Sequence, residues 1–246
     1  MRVVICEDAR AVDEYAGRLM VELIRKQPQA RIGFATGNTP LGLYAYLIQA
    51  YRNQGVRFKD IEAFNLDEYV GLARDHPQSF ASFMQRELFS QIDIPASHIH
   101  ALDGASPDPD QACQAYEKVL QKRSLDMQIL GIGMDGHIGY NEPGSPLDGP
   151  CHVVELEEQS IESSLDYGFQ STADVPRQGM TMGVGTIMQA KCLLMMVKGE
   201  KKAPLVKRML EGEVSENFPA SVIQRHPNVI VVLDRFAASE LKGEGK

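Results

Sequence analysis

The 246-residue chain has no apolar run long enough to span a membrane, which takes about 20 consecutive apolar residues in a helix. Its opening, MRVVICEDAR, has only a short apolar stretch with acids straight after it, so a signal peptide is not expected. Cysteine is sparse. Cys6, Cys113, Cys151 and Cys192 make no C-x-x-C pair and no zinc spacing, which points to reduced thiols in a cytoplasmic protein rather than a disulfide framework. Basic residues are in deficit, 25 Lys plus Arg against 33 Asp plus Glu, for a net charge of −8. No basic cluster is broad enough for a nucleic-acid partner. Lys and Arg are missing altogether between Arg123 and Arg177. A phosphate ligand is still compatible with this balance, because a local site can be positive on an acidic protein.

What remains is ordinary globular composition, 43% apolar and 24% charged. The length suits one domain over residues 1–246, with a core that needs no staples. Short apolar or β-branched runs at 3–6, 32–35, 61–65, 127–132, 192–197 and 229–233 read as strands. Between them, apolar residues recur at helical spacing over 12–24, 41–51, 80–92 and 111–120. This alternation predicts an α/β fold with a mostly parallel sheet and helices on both faces. No internal repeat or low-complexity linker interrupts it, and the tail LKGEGK is expected to fray. In such sheets ligands bind beyond the carboxyl ends of the strands. Three strand-to-loop junctions there carry unusual residues.

The first is ATGNTP, residues 35–40. Gly37 permits close backbone approach, Pro40 fits a first helical turn, and Thr39 is placed to be the helix N-cap. Free N–H groups at such a helix start attract anions. Taken alone, the segment also reads as a plain capped turn. The second junction, FNLDEY at residue 64, puts Asp67 and Glu68 at a strand end. Neighbouring side chains on an extended chain point apart, so at most one of these acids faces a given ligand; a solvated turn or metal ligands are the other readings. The third, ILGIGMDGHIGYNEPGS from residue 129, contains a literal G-x-G-x-x-G. That fingerprint requires a helix opening at its third glycine, and Gly139, Asn141, Pro143, Gly144 and Pro146 cannot sustain one. The segment is therefore a loop, and it carries His137 between Asp135 and Glu142. Carboxylates on either side of an imidazole suit a proton relay. One histidine is too few for a typical zinc site.

ATGNTP, FNLDEYVGL and LGIGMDGHIGYNEPGS, with MTMGVGTIM at 180, VKGEKK at 197 and FPAS at 218, resemble the glucosamine-6-phosphate deaminase family. That family also includes 6-phosphogluconolactonases and, more distantly, ribose-5-phosphate isomerases. The resemblance spans nearly the whole chain, and the NEPGS ending is specific to its deaminase branch. It implies a three-layer αβα sandwich of modified Rossmann type. It also implies a small sugar-phosphate ligand, cradled by Thr36, Gly37, Asn38 and Thr39 with Lys202 as cationic partner. By the same resemblance Asp67 is the base moving a proton between C2 and C1. His137, assisted by Asp135 and Glu142, handles the ring-oxygen proton. Every step of such a deamination is proton transfer or hydration, so no metal, nicotinamide or pyridoxal is needed. The chain departs from the family in residues 124–176, where arginines that contact the substrate phosphate and an allosteric site are usual. This keeps a galactosamine-6-phosphate deaminase/isomerase in view as an alternative. A lactonase or a non-catalytic sugar-phosphate regulator fits the acid/base set less well. A homo-oligomer is compatible with the sequence.

Overall fold

A computed structural model describes residues 1–242; residues 243–246, most of the tail expected to fray, lie outside the described residues. Ten strands occur in chain order: β1 (Arg2–Cys6), β2 (Arg31–Phe34), β3 (Glu62–Asn65), β4 (Asp67–Tyr69), β5 (Ile99–His100), β6 (Met127–Leu130), β7 (His152–Glu155), β8 (Gln178–Thr181), β9 (Leu193–Val197) and β10 (Val229–Asp234). The α-helices are α1 (Ala9–Lys26), α2 (Leu41–Gln54), α3 (Phe80–Glu87), α4 (Pro109–Leu120), α5 (Glu158–Ser163), α6 (Val184–Ile187) and α7 (Ala203–Glu211).

Seven strands form one sheet in the order β1-β10-β9-β6-β2-β3-β5, every adjacent pair parallel. Helices flank it, as the alternating pattern predicts. The central strands β2, β6 and β9 are buried at every residue, as strands covered on both faces must be. Helix α1 is capped by Asp8, whose carboxylate accepts the Ala11 N–H at 2.8 Å, and it buries Val12, Ala16, Met20 and Ile24 on one stripe. A Cβ at Gly17 would run into the Tyr46 ring, so glycine lets α1 and α2 pack closely. Truncating a fully buried residue such as Met20 or Leu47 to alanine removes about 2–5 kcal/mol. No helix among the described residues is long and apolar enough to cross a membrane.

The sequence pattern shows no sign of β5, α5, α6 or α7, and the structure departs from it in two further places. The helix expected over 80–92 ends at Glu87, and a 3-10 turn follows at Phe89–Gln91. Leu88 leaves the helical conformation (φ −141°, ψ −60°), and the turn seats both Leu88 and Phe89 in the core, Phe89 with its ring edge-on to Phe34 at 5.6 Å. The second difference is a separate antiparallel sheet, β4-β8-β7. Leu66 hands the chain from one sheet to the other: its N–H donates to the Phe34 carbonyl at 3.0 Å and its carbonyl accepts the Met182 N–H at 2.8 Å. Asp67, the next residue, is thereby fixed above the carboxyl end of β3.

Candidate active site

The three junctions meet at the carboxyl ends of β2, β3 and β6. They enclose a cavity of about 150 Å³ whose lining includes Thr36, Thr39, Asp67, His137, Ser160 and Tyr167. Residues as far apart in sequence as Thr36 and Tyr167 thus share one space.

Asp67 and Glu68 diverge as adjacent strand residues must. Glu68 turns away and accepts the N–H groups of Tyr69, Phe80 and Ala81, each at 2.9 Å. It serves the start of α3, where a carboxylate meets the positive end of the helix dipole. Asp67 lines the cavity instead, buried, with Oδ1 lacking any partner. Burial, and then the charge of Glu68, push its carboxyl up to about 7, against a smaller opposing pull from His137. An unpaired carboxyl with a pKa near neutrality is suited to accept and return a proton.

The loop after β6 turns tightly: the Gly133 N–H donates to the His137 carbonyl at 3.0 Å and the Gly136 N–H to that of Gly133 at 3.2 Å. At Gly133 a Cβ would collide with the imidazole, and at Gly136, where φ is +95°, with the Phe218 ring. The glycines therefore seat His137, and no helix opens here. Nδ1 of His137 lies 2.8 Å from Asp135 Oδ1 and 3.2 Å from Glu142 Oε2, in line with neither. This is a charge contact shared between two carboxylates. Burial opposes the imidazolium, but the two acids outweigh it and hold the pKa up at about 9. Asp135 is correspondingly held well below the usual carboxylate range: its contacts with His137 outweigh burial. Glu142, itself buried, accepts the Ser160 hydroxyl on Oε1 at 2.5 Å. Among the described residues, only Asp135, His137 and Glu142 bring three ligand-type atoms within 4.8 Å of one another. A cation there would have to displace the Nδ1 proton from between its two counter-charges.

The loop after β2 corrects one expectation. Thr39 is not the N-cap: Pro40 occupies that position, and no side chain of the loop caps α2. The first bond of α2 runs from the Tyr44 N–H to the Pro40 carbonyl at 2.9 Å, which leaves Thr39 one residue outside the cap position. Thr36 and Thr39 face the cavity. Gly37 takes a positive φ of +99°, and Asn38 turns its amide to Asp166 at 3.3 Å. Lys202 lies behind the cavity wall, its ammonium donating to the Ile132 carbonyl at 2.7 Å. Burial lowers its pKa, and the nearby Asp135 charge works the other way.

A family model described as glucosamine-6-phosphate isomerases/6-phosphogluconolactonase matches residues 7–232. The chain belongs to this family. It is 38% identical over 245 residues to a glucosamine-6-phosphate deaminase of Thermoanaerobacter pseudethanolicus, covering 99% of this chain and 96% of that protein. A solved monomeric glucosamine-6-phosphate deaminase superposes with a TM-score of 0.95 at 39% identity, covering 97% of this chain and 99% of that one. The 6-phosphogluconolactonase of Trypanosoma brucei shares the fold, with a TM-score of 0.78 at 22% identity over 98% of each chain.

One part of this family member's site went unseen in the sequence. Helix α5 and the 3-10 turn Ser164–Tyr167 contribute Ser160, Ser163, Ser164 and Tyr167 to the cavity lining. Tyr69 donates to the Ser164 hydroxyl at 2.7 Å, and the Tyr167 hydroxyl lies beside Gly37, where an added Cβ would come within 3.1 Å of it. These hydroxyls come from the stretch without Lys or Arg. The available signal was a serine-rich sequence, QSIESSLDY, which in isolation reads as a solvated turn. Arg177, the next cation along, pairs with Glu158 at 3.1 Å on the surface.

Proposed function

We propose that this chain isomerises and deaminates glucosamine 6-phosphate, yielding fructose 6-phosphate and ammonia. The observation that carries the reading is the pairing of two poised groups in one cavity: Asp67, unpartnered and pushed up to about 7, and His137, held charged by Asp135 and Glu142. The relatives' names supply the substrate class.

The steps follow from the groups. His137 serves the ring oxygen of the bound pyranose, moving the proton that ring opening requires. Asp135 and Glu142 do not line the cavity and act through His137 as positioning residues. Asp67 takes the proton from C2 of the open chain and returns it to C1, converting the aldose to a C2 imine through an enolamine. Water adds to that imine and ammonia leaves. A base near neutral pKa is matched to both halves of such a transfer. The phosphate, remote from C1 and C2, provides orientation; Thr36, Thr39 and the N–H groups of the loop receive it, with Lys202 as the nearby cation.

The deciding experiment incubates purified protein with glucosamine 6-phosphate and, separately, galactosamine 6-phosphate, scoring ammonia and the ketose phosphate formed. Ammonia with fructose 6-phosphate is the expected result. Turnover of the galacto substrate alone would move the assignment to that sugar, and no ammonia from either would overturn the reading.

A further inference from the structure

Lys198 follows β9, and the sequence alone gave no reason to single it out. Its ammonium donates to Asp13 Oδ1 at 2.5 Å and to the Thr39 carbonyl at 2.8 Å. Both side chains of the pair are largely withdrawn from solvent, at 17% and 15% exposure, so the contact is not a screened surface pair of the kind worth almost nothing. Asp13 comes from α1 and crosses to the start of α2. Its carboxylate lies against Gly42, where a Cβ would strike it, and beside the Leu43 N–H. It therefore places an acid at the first turn of α2, the positive end of a helix whose start has no side-chain cap from its own loop. Burial raises its pKa, and the hydrogen bond and charge of Lys198 pull against that.

This arrangement has a consequence for anion binding. A carboxylate at the α2 N-terminus consumes the dipole that would otherwise favour a phosphate, and it repels a dianion held by the same loop. The Thr39 carbonyl is a second negative atom on the same loop. Lys198 touches both. It is not among the residues lining the cavity, so it does not itself grip the ligand.

We propose that Lys198 is a positioning residue for phosphate recognition: it cancels the Asp13 carboxylate and holds the Thr39 carbonyl, leaving the N–H groups and hydroxyls of the 36–40 loop to face the anion unopposed. The inference rests on the phosphate end of the proposed function and not on the identity of the sugar.

The test is titration of the full-length protein with inorganic phosphate at pH 8, alongside KM and kcat for glucosamine 6-phosphate. Lys198→Met exposes an uncompensated acid and should weaken phosphate binding and raise KM about 10-fold, with kcat within threefold of wild type. Asp13→Asn removes the repelling charge and keeps a side-chain oxygen for α2. It should bind phosphate at least as tightly as wild type, and added to Lys198→Met it should recover most of the loss. Opposite signs for the two single variants are the signature, because a merely structural pair would weaken binding in both. Equal weakening in both, or phosphate affinity within twofold of wild type for Lys198→Met, overturns the proposal. Should Lys198→Met not fold, weakened phosphate binding by Asp13→Asn alone is enough to overturn it. Phosphate titration also works if wild type releases no ammonia, so failure of the substrate reading and failure of this inference are read separately.

Discussion

The two ends of the cavity are built on different electrostatic plans. At the acid/base end, charge is concentrated and buried: Asp67 without a partner, and His137 between Asp135 and Glu142. At the end proposed to receive the phosphate the lining is neutral, with the Thr36 and Thr39 hydroxyls, Tyr167 and backbone. Its two nearby lysines are spent on carbonyls, Lys202 on Ile132 and Lys198 on Thr39. Proton transfer needs groups whose pKa values are shifted by burial and by one another. Holding a phosphate needs donors and a favourable potential, which backbone N–H groups can supply with cations in the second rank. On the proposed function, the acid/base end depends on a few side chains, and the end assigned to the phosphate spreads its work over many.

The largest test of that contrast is Asp67→Asn. Turnover should fall by about 10²–10⁴-fold or more, with phosphate affinity near wild type by titration. The same variant makes a stability prediction. A carboxyl raised from its ordinary value to about 7 favours folding while protonated, and that contribution is lost as pH climbs from about 4 through 7. Asn never ionises, so at pH 8 the variant should be more stable than wild type by about 2–4 kcal/mol, a rise of several degrees in Tm. The gain should shrink towards zero near pH 4. A Tm at pH 8 equal to or below wild type would contradict the buried, unpaired carboxylate.

Next in size is Lys202→Ala. If the phosphate end relies on dispersed donors and one cation, loss of a charged partner worth about 1.5–3 kcal/mol should weaken substrate binding by roughly 10–100-fold, with kcat affected far less. An affinity within a few-fold of wild type would mean that the loop and the hydroxyls of α5 suffice.

A smaller effect is expected from Glu142→Gln. His137 is raised to about 9 by its two acids. The stability this ion contact provides is present below the unfolded histidine value near 6.5 and is lost as pH rises through 9. Removing one counter-charge should lower the His137 pKa by about 1 unit, read from its ring proton shifts. The alkaline limb of the activity profile should move down with it. Ser160→Ala is smallest: one hydrogen bond to Glu142, about 0.5–1.5 kcal/mol, lost in thermal unfolding with the His137 titration nearly unchanged. A large fall in that titration would show that α5 controls the charge at the acid/base end.

The acid/base end was also the more legible in sequence. Asp67, Asp135, His137 and Glu142 stand in short motifs next to apolar strands, and the family resemblance those motifs carry is what singled them out, since Asp67 taken alone reads equally as part of a solvated turn. Six of the seven strands of the main sheet were legible in their own right, since runs such as LLMMV and VIVVLD cannot be solvated; the two-residue edge strand β5 is too short to show a pattern. The small sheet β4-β8-β7 was not legible. Strands of three and four residues with a glycine among them carry no periodicity, and their pairing is set by partners far along the chain, as in Asp67 opposite Thr181. The break of the 80–92 helix at Leu88 was hidden too, because only the packing of Leu88 and Phe89 decides it.

The sequence by itself determined the parallel α/β framework, the loop character of residues 131–145 and the acids and histidine available for chemistry. These follow from short-range properties: hydrophobic period, glycine freedom and residue type. Tertiary structure alone decided which of two adjacent acids enters the cavity, that Asp13 of α1 rather than Thr39 serves the start of α2, and that Lys198 and Lys202 turn to carbonyls. Each of these depends on where a side chain's partner lies, and the partner is supplied by another strand or helix brought near only when the sheet closes its core.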